Sequence, residues 1–96
     1  MGETTFTLSY LPLFERDMAS ARYHIAQNLQ NPDAALRLVE DTEKAILKRL
    51  ENPLAFEPYR SIRERENPYY RINIRNYTVF YAVIGNVTEV RRFIYS

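Results

Sequence analysis

Tyr69 to Tyr95 reads YYRINIRNYTVFYAVIGNVTEVRRFIY, and the fold turns on how this stretch is divided. Tyr, Phe, Val and Ile fill runs of strand length that are cut by tight-turn residues, which predicts three consecutive antiparallel strands. One cut is Gly85-Asn86, with glycine at the first central position, as a two-residue type II′ hairpin prefers. The other is Arg75-Asn76, where the asparagine tolerates the positive φ of a turn.

Alternation with a period of two then sorts the side chains. Tyr70, Ile72 and Ile74 face one way; Tyr69, Arg71, Asn73 and Arg75 face the other, giving one apolar and one cationic face. Tyr77 to Ile84 is apolar or aromatic on both faces, as a strand covered on both sides would be. The last run carries Arg91 and Arg92 side by side, so strict alternation sends one guanidinium to each face.

Working outward, Thr5 to Tyr10 alternates Phe6, Leu8 and Tyr10 against Thr5, Thr7 and Ser9, the pattern of a half-buried strand. From Leu13 to about Asn28, Phe14, Met18, Ala21, Ile25 and Leu29 recur at helical spacing, and Pro12 suits the first turn. Asn31-Pro32-Asp33 is a second helix start, with Asn as N-cap and Asp at the positive end of the dipole. That helix runs to about Leu50, with Ala35, Val39, Ile46 and Leu50 on its stripe and Leu36 and Leu47 broadening it, and Asn52-Pro53 ends it. Leu54 to Pro68 reads as an irregular connection with at most one short strand near Ser61 to Arg65. The expected architecture is α+β: an antiparallel sheet of four to five strands with the N-terminal helical hairpin packed on one face, forming one domain over residues 1–96. Phe14, Met18, Ile25, Val39, Ile46, Ile72, Ile74 and Val79 are its expected shared core.

Composition removes several classes of function. With no cysteine, neither a disulfide framework nor a thiolate metal site can form. Two glycines cannot build a phosphate loop or a dinucleotide fingerprint. The single histidine, His24, lies between Tyr23 and Ile25 in a helical run, where a surface histidine is the simpler reading. No cofactor and no metal are expected. No apolar run approaches the roughly 18 residues of a membrane span, and no signal peptide opens the chain, so a cytoplasmic protein without membrane contact is expected.

Charge is uneven. Residues 1–59 hold six basic and nine acidic residues, whereas residues 60–96 hold seven arginines and three glutamates, a net of −3 against +4. Arginine outnumbers lysine eleven to two. A planar guanidinium forks onto phosphate and stacks on bases, so a sheet bearing Arg71, Arg75, Arg91, Arg92 and Tyr95, with Arg60, Arg63 and Arg65 in the preceding loop, is the place where recognition or chemistry is expected. Such cations would hold RNA and stabilise the charge that develops when a 2′-hydroxyl attacks its own phosphate.

The whole chain resembles the RelE/ParE superfamily of toxins from bacterial type II toxin-antitoxin systems, in the branch called plasmid-stabilisation proteins. The resemblance is carried by the N-terminal strand, the hairpin start Asn31-Pro32-Asp33-Ala34-Ala35, the Leu50-Glu51-Asn52-Pro53 end, Tyr70-Arg71, Asn76-Tyr77-Thr78-Val79-Phe80-Tyr81 and Val90-Arg91-Arg92-Phe93-Ile94-Tyr95, in that order. It implies a cognate antitoxin that folds across the domain and a ribosome-dependent, metal-independent endoribonuclease that cuts mRNA and inhibits translation. Arg71, Arg92 and Tyr95 are then the catalytic candidates, with Arg63, Arg65, Arg75 and Arg91 binding RNA. Two alternatives follow from the same resemblance: a ParE-like inhibitor of DNA gyrase without catalysis, and an inactive antitoxin-binding relative. Thr78 stands where RelE-like nucleases carry a catalytic arginine, and Asn73 replaces a basic residue. A tyrosine at the ordinary pKa near 10 is a poor base at neutral pH, no obvious general base lies among the matched sheet positions, and Glu57 and Glu64 are the loop carboxylates that could swing in to serve. The sequence leaves the oligomeric state open.

Overall fold

The structure, a computed structural model, describes residues 5–59 and 67–96. Strand β1 (Thr7–Tyr10) leads into helix α1 (Pro12–Tyr23), a π-helical turn (His24–Asn28), helix α2 (Pro32–Leu50) and the strands β2 (Tyr69–Ile74), β3 (Tyr77–Ile84) and β4 (Val87–Tyr95). The predicted short strand near Ser61 to Arg65 lies outside the described residues, although Tyr59 N–H donates to the Tyr69 carbonyl at 2.6 Å as an isolated bridge onto β2.

The meander forms as read, with β2, β3 and β4 antiparallel neighbours. The sheet as a whole is mixed, not antiparallel throughout, because β1 joins the far side of β4 in parallel, with Thr7 opposite Val87 and Tyr10 opposite Val90. The hairpin of helices explains this, since it carries the chain back across one face and returns it on the opposite edge. Gly85 takes the left-handed φ of +62° that its turn requires. In the other turn Arg75, not Asn76, takes it, with φ +55°. Both two-residue turns thus place the left-handed residue first, and Arg75 occupies a position glycine would fill without strain.

Asn31 caps α2 as expected, its side chain accepting the Ala34 N–H at 3.1 Å. The first helix departs from the expectation by widening at His24 into a π-turn, in which the Leu29 N–H reaches the His24 carbonyl at 3.1 Å. It closes with Gln30 left-handed (φ 51°) and the Asn31 N–H on the Ile25 carbonyl at 3.1 Å, a Schellman-type end.

Phe14, Ala21, Leu38, Ile46, Tyr70, Ile72, Ile74, Val79, Tyr81, Val90 and Phe93 make one core between helices and sheet, with Met18 and Ile25 packed against it. The buried stripe of α2 is Ala35, Leu38, Thr42 and Ile46, so Leu36 (59% exposed) and Leu47 (55%) point to solvent instead of widening it, and Val39 is only half-buried. Thr42 tolerates full burial because its hydroxyl donates to the Leu38 carbonyl at 2.7 Å. Thr88 is also buried, yet its hydroxyl has no hydrogen-bond partner among the described residues. Replacing it by the isosteric valine removes an uncompensated polar group, so Thr88→Val is expected to stabilise the fold by about 1 kcal/mol. Thermal unfolding reads this as a rise in Tm, and a fall in Tm would show that the hydroxyl is satisfied.

Candidate functional site

The arginine surface is set by one irregularity in β4. Phe80 lies opposite Arg92 while the next residue, Tyr81, lies opposite Val90, so Arg91 is an extra residue inserted into the ladder. A bulge of this kind turns two successive side chains to the same side. It corrects the expectation of one arginine on each face: Val90 and Phe93 both reach the core, and both guanidinium groups avoid it.

On the face away from the helices, Arg71, Phe80 and Arg92 form one rung across three strands. Tyr59, Tyr69 and Phe80 make an aromatic floor, with Phe80 edge-on to Tyr59 at 5.4 Å and 6.5 Å from Tyr69. The Arg71 guanidinium lies over the Tyr59 ring at 5.1 Å, and that of Arg91 over Tyr69 at 5.4 Å. Arg91 is held further by Glu89 Oε1, at 3.1 Å from Nε and 2.7 Å from Nη2, and by the Tyr69 hydroxyl at 3.2 Å. Arg71 is exposed, and no acidic side chain pairs with it among the described residues, so its charge is presented outward. Its strand is fixed from behind: Arg49 of α2 donates to the Arg71 carbonyl at 3.1 Å and to the Tyr81 hydroxyl at 3.1 Å. Tyr81 in turn donates to the Pro53 carbonyl at 2.8 Å.

The other candidates are dispersed. Arg92 Nε and Nη2 grip both oxygens of Asp17 on α1, at 2.7 and 3.2 Å, and Asp17 also accepts the Phe93 N–H at 3.0 Å. Tyr95 pairs with Tyr77 on the helix side of the sheet and is 67% exposed, so it does not share the face of Arg71. Arg75, expected on the cationic face, instead leaves the turn toward α2 and pairs with Asp41. Arg63 and Arg65 lie outside the described residues, as does Glu64. Where RNA cleavage would place cations, Thr78 donates to Asn73 Oδ1 at 3.0 Å and meets the Ser96 hydroxyl at 2.9 Å, a neutral network.

Asp17 was not singled out by sequence. It stands three after Phe14 and four before Ala21, on the border of the apolar stripe, where a carboxylate needs a partner; that spacing is the signal. The contact of Arg91 with Tyr69 had no such signal, because it depends on the bulge. Burial pushes the Asp17 pKa up, but the hydrogen bonds from Arg92 and from the Phe93 N–H, with the Arg92 charge, outweigh it and hold the group below its usual range. A depressed folded-state pKa contributes stability above the unfolded value, about pH 4, that is lost as pH falls through the folded value. Wild type is therefore expected to lose more stability than Asp17→Asn on acidification from about pH 5 to 2, measured by denaturant titration. Parallel loss in the two would remove Asp17 from the account.

A model of the family described as ParE toxin of type II toxin-antitoxin system, parDE, matches residues 8–95. Among solved structures, a chain described as the chromosomal ParDE TA system from P. aeruginosa is 14% identical. It aligns over 97% of this chain and 98% of its own, with a TM-score of 0.78, which shows a shared fold. No curated protein matches the sequence. Among the described residues no helix is long and apolar enough to cross a membrane.

Proposed function

Because the chain belongs to the ParE toxin family of type II toxin-antitoxin systems, we propose that it acts by binding and inhibiting DNA gyrase, with no covalent chemistry of its own. The match to the ParE model from Leu8 to Tyr95 carries this reading. It reverses the order expected from sequence, in which mRNA cleavage stood ahead of gyrase inhibition. As the toxin of such a system, the protein has a cognate antitoxin as partner.

The geometry is consistent with binding in place of cleavage. General acid-base catalysis needs its groups within hydrogen-bond reach of one reacting centre. Arg71 and Arg92 share a rung of the outer face, but the Arg92 guanidinium is engaged by Asp17 of α1 and Tyr95 lies on the helix side, so the three do not converge on one centre. An exposed arginine on an aromatic floor, backed by a strand clamped through Arg49, is a rigid anchor of the kind that dominates protein interfaces. In this reading Arg71, Arg91 and the rings of Tyr59 and Tyr69 contact the target, and Arg92 and Tyr95 border that contact.

Purified toxin added to a gyrase supercoiling reaction, and separately to a reconstituted translation reaction with a defined mRNA, tests the choice. Supercoiling is expected to stop while the mRNA stays intact and translated. Cleaved mRNA with normal supercoiling would overturn the reading in favour of the ribonuclease.

A further inference from the structure

Most of the cations around the outer face of the sheet are already engaged. Arg91 gives Nε and Nη2 to Glu89 and Nη1 to the Tyr69 hydroxyl, Arg92 gives Nε and Nη2 to Asp17, and Arg75 pairs with Asp41 away from this face. With Glu89 set against Arg91 and Asp17 against Arg92, the charge left open on the rung is that of Arg71. Its guanidinium lies over the Tyr59 ring at 5.1 Å, and its N–H donors meet no acceptor among the described residues. An aromatic face attracts a guanidinium but accepts nothing in the guanidinium plane, so the fork of donors is left for a ligand. The base of the side chain is fixed, because β2 is in register with β3 and the Arg71 carbonyl is held by Arg49.

Beside this cation lies a cavity of about 320 Å³, lined by Glu57, Pro58, Tyr59 and Arg71. That is the small end of the range for ligand cavities, roughly 300 to 1,000 Å³, and it suits one side chain, not a length of backbone. Nucleic acid draws its affinity from several phosphates neutralised at once. Here it would find one open guanidinium, with the carboxylates of Glu57 and Glu89 close by to repel the rest of the strand. A carboxylate side chain asks for one forked cation, and the Tyr59 ring and Pro58 offer apolar surface to its stem.

We infer that the cavity beside Arg71 receives a single aspartate or glutamate side chain projecting from the surface of gyrase, as a forked ion pair set over the Tyr59 ring. The inference rests on the gyrase reading and names the chemistry of that contact: a protein carboxylate, not the phosphates of DNA. Phe80 adjoins Tyr59 at 5.4 Å and Tyr69 at 6.5 Å, so rings flank the pair and help exclude water from it. A pair shielded in this way counts for more than one left in open solvent.

Arg71→Lys separates the fork from plain charge, because lysine keeps the charge and loses the planar donors and the stacking. The toxin concentration that halves gyrase supercoiling is expected to rise at least tenfold for Arg71→Ala and at least fivefold for Arg71→Lys, with Tm values that match wild type. Wild-type potency in either variant would overturn the inference. A second measurement tests the source of the anion. Labelled toxin is expected to bind purified gyrase without DNA and to leave a short DNA duplex unbound at the same concentrations. Tight binding to the duplex alone, weakening with salt by the roughly 0.9 logarithmic units per phosphate of a polyanion contact, would assign the face to nucleic acid and overturn the inference. These outcomes leave gyrase inhibition by wild type standing. A wild type that neither binds gyrase nor stops supercoiling removes the gyrase reading, and the inference with it.

Discussion

Phe93→Ala is expected to destabilise the domain by about 3 to 5 kcal/mol, a large share of the roughly 5 to 15 kcal/mol that holds a typical native domain together. Phe93 is 3% exposed and sits where three elements meet. Its ring stacks on Tyr77 at 4.6 Å with 4° between planes and meets Phe14 of α1 edge-on at 5.9 Å. Truncation loses the burial of the ring and both aromatic contacts, and it extends the cavity that Phe93 lines beside α1, so the surroundings have little with which to refill the space. For a domain of this size the loss reads as a fall in Tm of more than about 15 °C. Leu36→Ala is the matched control. Its side chain is exposed, and a change within about 0.5 kcal/mol is expected. If the two variants melt alike, the packing described between α1 and β4 is wrong.

Arg71→Ala is expected to lower toxicity at least tenfold while leaving the fold intact. The side chain is exposed and pairs with no acidic side chain among the described residues, so removing it orphans no carboxylate there. The link between α2 and β2 survives because Arg49 bonds the backbone carbonyl of Arg71, not its guanidinium. What is lost is a charge-assisted hydrogen bond to the target, on the order of 1.5 to 3 kcal/mol, which is roughly ten- to a hundredfold in affinity. Arg92→Ala behaves differently, because it strands the Asp17 carboxylate and so lowers stability along with activity. Growth arrest and Tm measured together separate the two. Full toxicity of Arg71→Ala at unchanged Tm would move the target contact to another surface.

Much of this was legible in the sequence wherever one local rule governed the outcome. The meander followed from alternation and Gly85, and the cap of α2 from Asn31-Pro32. The misreadings share a physical cause, which is that tertiary contacts chose among locally equivalent options. Leu36, Leu38 and Leu47 are equally apolar, and only the rotation of α2 on the sheet decides that Leu38 is buried. Arg91 and Arg92 look like a plain alternating pair, and the bulge that unites them on one face is a property of the register with Phe80. Arg75 continues the cationic alternation of β2 on paper, but a left-handed turn redirects it to Asp41. The parallel placement of β1 left no mark in its own residues, since a half-buried strand alternates in the same way whichever direction its neighbour runs.

That parallel pairing has a bearing on how the molecule comes into being. Thr7 and Asn86, joined at 2.8 Å through the Thr7 N–H and the Asn86 carbonyl, are 79 positions apart in the chain. A growing polypeptide emerges at about 5 to 20 residues per second, so β1 spends several seconds with its eventual neighbour not yet made. The apolar face of α1, which packs on β4, waits with it. Helices can form in that interval, but the sheet that presents Arg71 and Arg91 cannot close until β4 has emerged, and contacts this distant in sequence make closure slow. On the reading that Arg71 and Arg91 contact the target, the nascent chain lacks that contact through most of its synthesis. The proposed target surface is then completed in one late step, which gives an antitoxin already present the chance to meet it as it forms.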